Sequence, residues 1–600
     1  MLNLEKVLNL EANDPVTVGL RASARRLLGV AVFSGAINLL TLSGSFYMLQ
    51  VYDRVIPSRN IATLVGLSLI VLLAYLLQGY LEALRVRMLS RIGTLFDASL
   101  QEPIHVALAV LPLKGSKPAL AQQPLRDLDQ VRLFLSGMGP TAFLDMPWLP
   151  IFLIALFMFH PLIGTVALIG ASSIVGVTLL TDRQSRAAAK TMAESGAQRQ
   201  VLADATRHHA EVIRALGMTG RFTTRWAETN ERFLQENVQA NDVQAVLGSS
   251  AKIIRYTLQS AMLGTAAYLV VNEQASGGIM IASSIMMGRA LAPIEVALSS
   301  WKQLVAAHQG IGRLRNILKT TSLPKSPAVV LPRPKHELSV SDLSVTAPGS
   351  EQTIVSNVSF SLTAGMGLAL IGASASGKSS LSRALVGVWP PARGVVRLDG
   401  AALDQWHIDD LGRHIGYLPQ DVALFDGSVA DNIARFDPTA TSDAVLDAAQ
   451  VAGAHEMILG LPNGYGTRIG EGGMALSAGQ RQRVGLARAV FGNPFLVVLD
   501  EPNANLDTEG EIALSKAIEI LRGGNSIVIV ISHRPSALSA LDMAMLLHRG
   551  RVITFGRREE VFANLTRVNS NLKAPVPANN LAANNVKGMP PARAVTGTRR

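Results

Sequence analysis

Six long, almost uncharged stretches occupy the first half of this 600-residue chain, and nothing else in it narrows the possible folds so much. They run roughly over residues 28–49, 61–81, 141–159, 162–181, 253–271 and 277–299. Each is close to the ~20 residues that a helix needs to cross a bilayer. In hydrocarbon every backbone N–H and C=O must be satisfied internally, and a helix does this within one segment. The stretches are therefore expected as six membrane-spanning helices. The alternative is a set of buried helices in a soluble core. Several runs that are apolar all round argue against it. So does a composition of 48% apolar and only 16% charged residues.

Charge placement orients the spans. Arg21, Arg25 and Arg26 precede the first run and favour a cytoplasmic N-terminus. That run is not a signal peptide: it is too long, lacks a small-residue cleavage pattern and follows an acidic segment. The loop after the second span is rich in cations (Arg85, Arg87, Arg91, Lys114, Lys117), as is the one after the fourth (Arg183, Arg186, Lys190, Arg199, Arg207). The opposite loops, "VYDRVIPSRN", "HP" and "NEQAS", are short and nearly uncharged, with Asp53 and Arg54 read as loop caps. Residues 82–138 and 182–252 are polar with helical periodicity and read as cytoplasmic extensions of the spans. His208 and His209 lack metal-ligand spacing and read as surface residues. The expected layout is a cytoplasmic segment at 1–27, a six-span domain at 28–318 and a proline-rich linker at 319–336. A nucleotide domain follows at 337–565, then a disordered basic tail at 566–600.

The second half carries a different chemistry. "IGASASGKSS" fits G-x-x-x-x-G-K-[ST] through Gly372, Gly377, Lys378 and Ser379. Gly372, Ala373, Ser374, Ala375, Ser376, Gly377, Lys378, Ser379 and Ser380 are the candidate ATP-binding loop. Backbone N–H groups can cradle phosphate there, Lys378 is a point charge for the β- and γ-phosphates, and Ser379 can ligate Mg²⁺. An apolar strand before the loop and a helix after it supply the context, because a helix N-terminus favours anions. "FLVVLDEP" reads as a buried strand ending in Asp500, for the metal shell, and Glu501, to polarise an attacking water. "SIVIVISHRP" ends at His533, a γ-phosphate contact, and "YLPQD" places Gln420 within reach of Mg²⁺ and water. "LSAGQRQR" sets Ser477, Ala478, Gly479 and Gln480 before a helix, a second anion-binding N-terminus.

In that order these motifs resemble the ATP-binding cassette family from Glu337 to about Val561. "LSAGQ" is similar to the family's signature, "ANLD" with Asp507 to its D-loop, and His533 to its switch histidine. The resemblance implies a cytoplasmic α/β P-loop domain. It also implies a homodimer in which Ser477 and Gly479 of one copy close over ATP held by Lys378 of the other. One departure stands out: exporters of the family often carry an aromatic before the Pro-Gly that here follows Ala347, so the adenine platform differs.

In the membrane half, "MLQVYDRVIPSRN", "PLRDLDQVRLFLSG", "DMPWLPIFL", "EVIRALGM" and "GRALAPIE" resemble type I secretion permease/ATPases of the protease and lipase branch. The family implies an inner-membrane homodimer with a periplasmic adaptor (membrane fusion) protein and an outer-membrane channel. Its cargo is unfolded secreted protein. Arg289 falls about 18 Å into the sixth run, a costly place that usually faces a water-filled cavity. Arg289 and Glu295 are candidates for the cargo path, a structural ion pair with another span being the alternative. Two other functions compete with protein export. A half-size exporter of lipid or drug-like amphiphiles would need no adaptor. A non-hydrolysing scaffold is disfavoured by the joint presence of Lys378, Glu501 and His533. The net charge of +11 comes without a nucleic-acid motif, so no nucleic-acid partner is expected. The absence of cysteine excludes disulfides, thiolate metal sites and a papain-like peptidase domain.

Overall fold

A computed structural model describes residues 14–115, 123–321, 330–532 and 534–563. The chain forms two compact units, Met1–Lys325 and Ser326–Arg600. The first is helical. Asp14 caps α1 (Pro15–Gln50), its carboxylate accepting from the Val16 N–H, with Pro15 at the first position where no N–H is needed. A π-helical turn, Val51–Val55, ends the outward course. Next come α2 (Ile61–Val110), α3 (Gln123–Ser136), α4 (Gly139–Asp145), α5 (Leu149–Phe159), α6 (Pro161–His208), α7 (Thr219–Val271), α8 (Gly277–Ser299) and α9 (Trp301–Thr321).

The second, fourth and fifth apolar runs are each continuous with polar helix: α2 runs on to Val110, α6 to His208, and α7 starts at Thr219. At 1.5 Å per residue α2 is about 75 Å long, more than twice a hydrocarbon core. No Gly-Pro punctuation separates run from extension, so the backbone has no reason to stop at the membrane face. Among the described residues five helical stretches are long and apolar enough to cross a bilayer: Pro15–Ser58, Ile61–Val110, Gly139–Phe159, Pro161–Thr178 and Gly277–Ser299. The remaining run, 253–271, closes α7 and is less apolar because it carries Arg255 and Gln259. Its Met262, Ala266 and Leu269 are fully buried against Leu156 of α5, Ile163 of α6 and Met286 of α8, which seats it in the bundle. The third run is not one helix: Pro147 and Pro150 in "DMPWLP" break it into α4, a 3-10 turn at Met146–Trp148, and α5. Val32, Ile61, Leu73 and Met158 point large apolar side chains outward, as a lipid-facing surface requires.

Several buried polar groups of this unit are paired across helices. Arg85, almost wholly buried, donates to Asp145 Oδ2 at 3.1 Å and to Ser34 Oγ at 3.3 Å, while Asn38 donates to Asp145 Oδ1 at 2.8 Å. This joins α1, α2 and α4. Arg313 of α9 grips fully buried Asp127 of α3 through two bonds of 2.6 and 2.9 Å. At the outer end Asp53 accepts from the Gly278 N–H at 2.8 Å and from Ser276 Oγ at 2.6 Å, and so caps α8.

The second unit is built on two sheets. Strands β1 (Glu337–Thr346), β2 (Thr353–Thr363), β4 (Arg393–Leu398) and β5 (Ala401–Ala402) form an antiparallel sheet in the order β2-β1-β4-β5. Strands β3 (Gly367–Gly372), β6 (Ile415–Leu418), β7 (Leu496–Asp500), β8 (Ile527–Ile531), β9 (Met543–His548) and β10 (Arg551–Arg557) form the other, ordered β10-β9-β3-β8-β7-β6. All its pairings are parallel except β10 on β9. Period-two alternation splits its side chains between two cores. Val497, Leu499, Val528 and Val530 face one, and Leu496, Val498, Ile527 and Ile529 face the other. A parallel sheet covered on both faces reads as continuous apolar sequence, which is why "FLVVL" and "IVIVI" show no alternation. Helices α10 (Lys378–Leu385), α11 (Ile408–His414), α12 (Ala478–Val490) and α13 (Thr508–Gly523) accompany the sheets.

Candidate functional site

The site lies at the carboxyl ends of β3, β7 and β8, where parallel sheets place ligands. β3 ends at Gly372 and α10 starts at Lys378. Between them the backbone turns too tightly for ordinary residues. A Cβ on Gly372 would lie 2.2 Å from the Leu547 carbonyl oxygen, and Gly377 sits at φ +99°. Ala375 holds φ +61°, a left-handed conformation that costs an L-residue about 1–2 kcal/mol. Sequence reasoning missed this strain; an alanine inside a glycine-type phosphate loop was the available signal. Lys378 is buried, and its Nζ donates to the Gly372 and Ala373 carbonyls at 2.9 Å each. Burial pulls its pKa below the ordinary lysine value, against Glu501 and Asp500, which favour the charge.

Asp500 ends β7 with 1% of its surface exposed. Burial, and Glu501 beside it, push its pKa up. A hydrogen bond with the Ser379 side chain and the charges of Arg383 and Lys378 oppose that. Its Oδ1 is buried without a hydrogen-bond partner. Such an oxygen is costly unless something else satisfies it. Glu501 follows at φ +50°, with its N–H bonded to the Ile531 carbonyl at 2.9 Å, which ties β7 to the end of β8. Gln420, two residues beyond β6, donates from Nε2 to Glu501 Oε2 at 3.1 Å. Lys378, Ser379, Asp500, Glu501 and Gln420 thus converge, although Gln420 and Glu501 are 81 residues apart. His533 lies outside the described residues.

The signature residues form a separate group. Ser477 caps α12: its Oγ accepts from the Gln480 N–H at 3.2 Å and its own N–H donates to Gln480 Oε1 at 2.9 Å. Ala478 opens the helix, and a Cβ on Gly479 would lie 2.9 Å from the Asn505 carbonyl. Asp507 caps α13 and pairs with Arg483 of α12 at 2.7 Å, so signature and D-loop are fixed to each other. No hydrogen bond among the described residues joins Ser477–Gln480 to the loop Gly372–Ser380. Ala347 lies in the turn after β1, its carbonyl accepting from the Ser350 N–H at 3.0 Å. In the membrane unit Arg289 and Glu295 part company. Glu295 pairs with Arg255 of α7 at 3.0 Å, whereas Arg289 is exposed with no ion pair among the described residues.

A phosphate-binding loop with a carboxylate pair beside it, in a chain whose other unit is a bundle of bilayer-length apolar helices, defines an ATP-driven membrane transporter. Comparison with known proteins agrees. The family "ABC transporter transmembrane region" matches residues 27–291, and "ABC transporter" matches residues 355–504. The type I secretion system ATP-binding protein PrsD of Rhizobium meliloti (strain 1021) is 50% identical over 555 residues, which is 92% of this chain and 95% of that protein. The toxin RTX-I translocation ATP-binding protein of Actinobacillus pleuropneumoniae is 26% identical over 554 residues, covering 92% of this chain and 78% of the toxin translocator. Among solved structures, a bacterial Atm1-family ABC exporter with ATP bound superposes with a TM-score of 0.78 over 93% of this chain and 99% of that one. At 21% identity that likeness speaks for the fold alone. The chain belongs to the ABC transporter family. It is a multi-pass inner-membrane protein whose cytoplasmic unit is an ATPase coupled to transport.

Proposed function

We propose that this chain is the inner-membrane permease/ATPase of a type I secretion system, which moves unfolded protein out of the cytoplasm. The observation that carries this is its 50% identity to a type I secretion ATP-binding protein along nearly the whole of both chains. The working unit is a homodimer, because each chain has one phosphate loop and one signature loop and these belong to separate groups of residues. A periplasmic adaptor and an outer-membrane channel complete the route. Mg²⁺ fits the site: Asp500 Oδ1 is a buried oxygen awaiting a partner, with Ser379 hydrogen-bonded to that carboxylate and Gln420 reaching the adjacent Glu501. Asp500, Ser379 and Gln420 would hold the ion, which would neutralise phosphate charge. Lys378 holds those phosphates, Gln420 orients the carboxylate of Glu501, and Glu501 takes a proton from the attacking water. Ser477 and Gly479 of the second copy present a helix N-terminus to the same phosphates, and His533 contacts the γ-phosphate. Cargo passes between the two membrane units, where the unpaired guanidinium of Arg289 attracts acidic segments.

The test is deletion of the gene with comparison of the culture medium and of membrane lipids, complemented by wild type or by Glu501→Gln. Loss of one or a few acidic proteins from the medium, restored by wild type alone, supports the reading. An unchanged medium with an altered lipid or drug-resistance phenotype overturns it in favour of amphiphile export.

A further inference from the structure

Arg435 lies outside every motif described above, yet four backbone carbonyls converge on it. Its Nε donates to the Arg488 carbonyl at 2.9 Å and its Nη2 to the Ala489 carbonyl at 3.0 Å. These are two of the last three carbonyls of α12, the helix that the signature Ser477 caps. Its Nη1 donates to the Gly412 carbonyl in α11 at 2.6 Å and to the Ile415 carbonyl, the first residue of β6, at 3.2 Å. Five residues beyond Ile415 the chain reaches Gln420. The last carbonyls of a helix lack intrahelical donors and carry the negative end of its dipole, so a cation there is stabilising. Burial, and Arg488 nearby, lower the pKa of Arg435 to about 10, which leaves it charged at neutral pH.

Two further observations show that this clamp is specified rather than incidental. Arg435 and Phe436 are consecutive non-glycine residues in the left-handed region, at φ +56° and +58°. Such strain persists only where the surroundings over-determine it, and it clusters at functional sites. Gly416, the second residue of β6, also lies directly against the same helix end. A Cβ there would be 2.2 Å from the Ala489 carbonyl oxygen. The signature helix and the strand leading to Gln420 therefore meet at one place, and one guanidinium bridges them.

We propose that Arg435 is a positioning residue for ATP hydrolysis: its guanidinium fixes the signature helix to the strand that carries Gln420, so that Ser477 and Gln420 shift as one body. This rests on the assignment of Gln420 and Ser477 to the ATP site. A helix cap with no other role would affect stability alone. A coupling clamp affects turnover, through Gln420.

The experiment compares the full-length protein with Arg435→Lys, Arg435→Gln, Gln420→Ala and the Arg435→Gln/Gln420→Ala double variant in steady-state ATP hydrolysis, with thermal unfolding alongside. Arg435→Gln is expected to lower kcat about tenfold with KM changed less than about twofold, the pattern of an interaction needed beyond ground-state binding. Arg435→Lys recovers part of that, since an ammonium reaches fewer of the carbonyls than a guanidinium fork. In the Gln420→Ala background Arg435→Gln costs less than about twofold, because residues acting as a unit are not additive. Should Arg435→Gln fail to fold, Gly416→Ala, which wedges β6 off the helix end, replaces it under the same criteria. Undiminished cost of the arginine change without Gln420 overturns the proposal, as does a lowered melting temperature with kcat intact. Normal turnover in Gln420→Ala alone removes the site assignment, and the proposal with it.

Discussion

Replacing Glu501 by Gln separates binding from hydrolysis in a way the geometry sets quantitatively. The Gln420 amide donates to Glu501 Oε2 at 3.1 Å. A glutamine at 501 keeps an amide oxygen in that place, so the contact survives as a neutral hydrogen bond. The difference between a charge-assisted and a neutral bond is about 1 kcal/mol, which limits any change in ATP affinity to roughly fivefold. The lost function is proton abstraction, and a positioned base contributes about 10²–10⁴ in rate. At 1.36 kcal/mol per decade that is about 2.7–5.4 kcal/mol of barrier. Glu501→Gln is therefore expected to bind ATP nearly normally and to hydrolyse it at least about a hundredfold more slowly. Equilibrium binding of radiolabelled ATP and phosphate release on the same preparation measure both. Near-normal turnover removes Glu501 from the base role. Parallel collapse of binding and turnover refutes the reasoning differently, by making the carboxylate a structural partner of Gln420.

Four other outcomes are expected. Ala375→Gly relieves the left-handed strain at φ +61° and raises stability by up to about 1 kcal/mol, read as about 2–4 °C in the melting of the nucleotide unit. Mixing Lys378→Ala chains with Ser477→Arg chains restores activity above either variant alone, since one composite site per mixed dimer is intact; no restoration in a mixture shown to exchange subunits removes the shared-site arrangement. Ala347→Tyr supplies a ring for adenine and tightens ATP binding by about 1–3 kcal/mol in calorimetry, with an unchanged dissociation constant meaning that another side chain serves as platform. Arg289→Ala reduces secretion of acidic cargo while basal ATP hydrolysis stays within about twofold of wild type, because the residue touches no nucleotide group.

The membrane class was legible because lipid imposes a single rule on backbone polar groups, and a run such as 61–81 can obey it in only one way. The break at "DMPWLP" was signalled by two prolines but hidden by the apolarity around them. The continuation of spans into helices such as α2 and α7 was legible in the helical periodicity of the polar segments beside them, since polar and apolar segments share one backbone geometry. Strands β7 and β8 and the phosphate loop could be read locally, since each depends on contiguous residues. What resisted reading was pairing across distance. Glu295 meets Arg255 on another helix, and Arg435 reaches carbonyls more than fifty residues away. Backbone carbonyls as partners leave no trace in side-chain identity, so the lone arginine in "NIARFD" carried no visible signal.

The cluster of Arg85 with Asp145, Ser34 and Asn38 bears on biogenesis. Sixty residues separate Arg85 from Asp145, and the first two spans are complete before the aspartate exists. During synthesis at about 5–20 residues per second, Arg85 waits roughly 3–12 s for Asp145, with Glu82 one helical turn away as its anionic neighbour meanwhile. Arg85 follows the second apolar run on the cytoplasmic side, so in that interval water and Glu82 accept from it. The contact that joins α1, α2 and α4 is therefore complete only once the third span has been made.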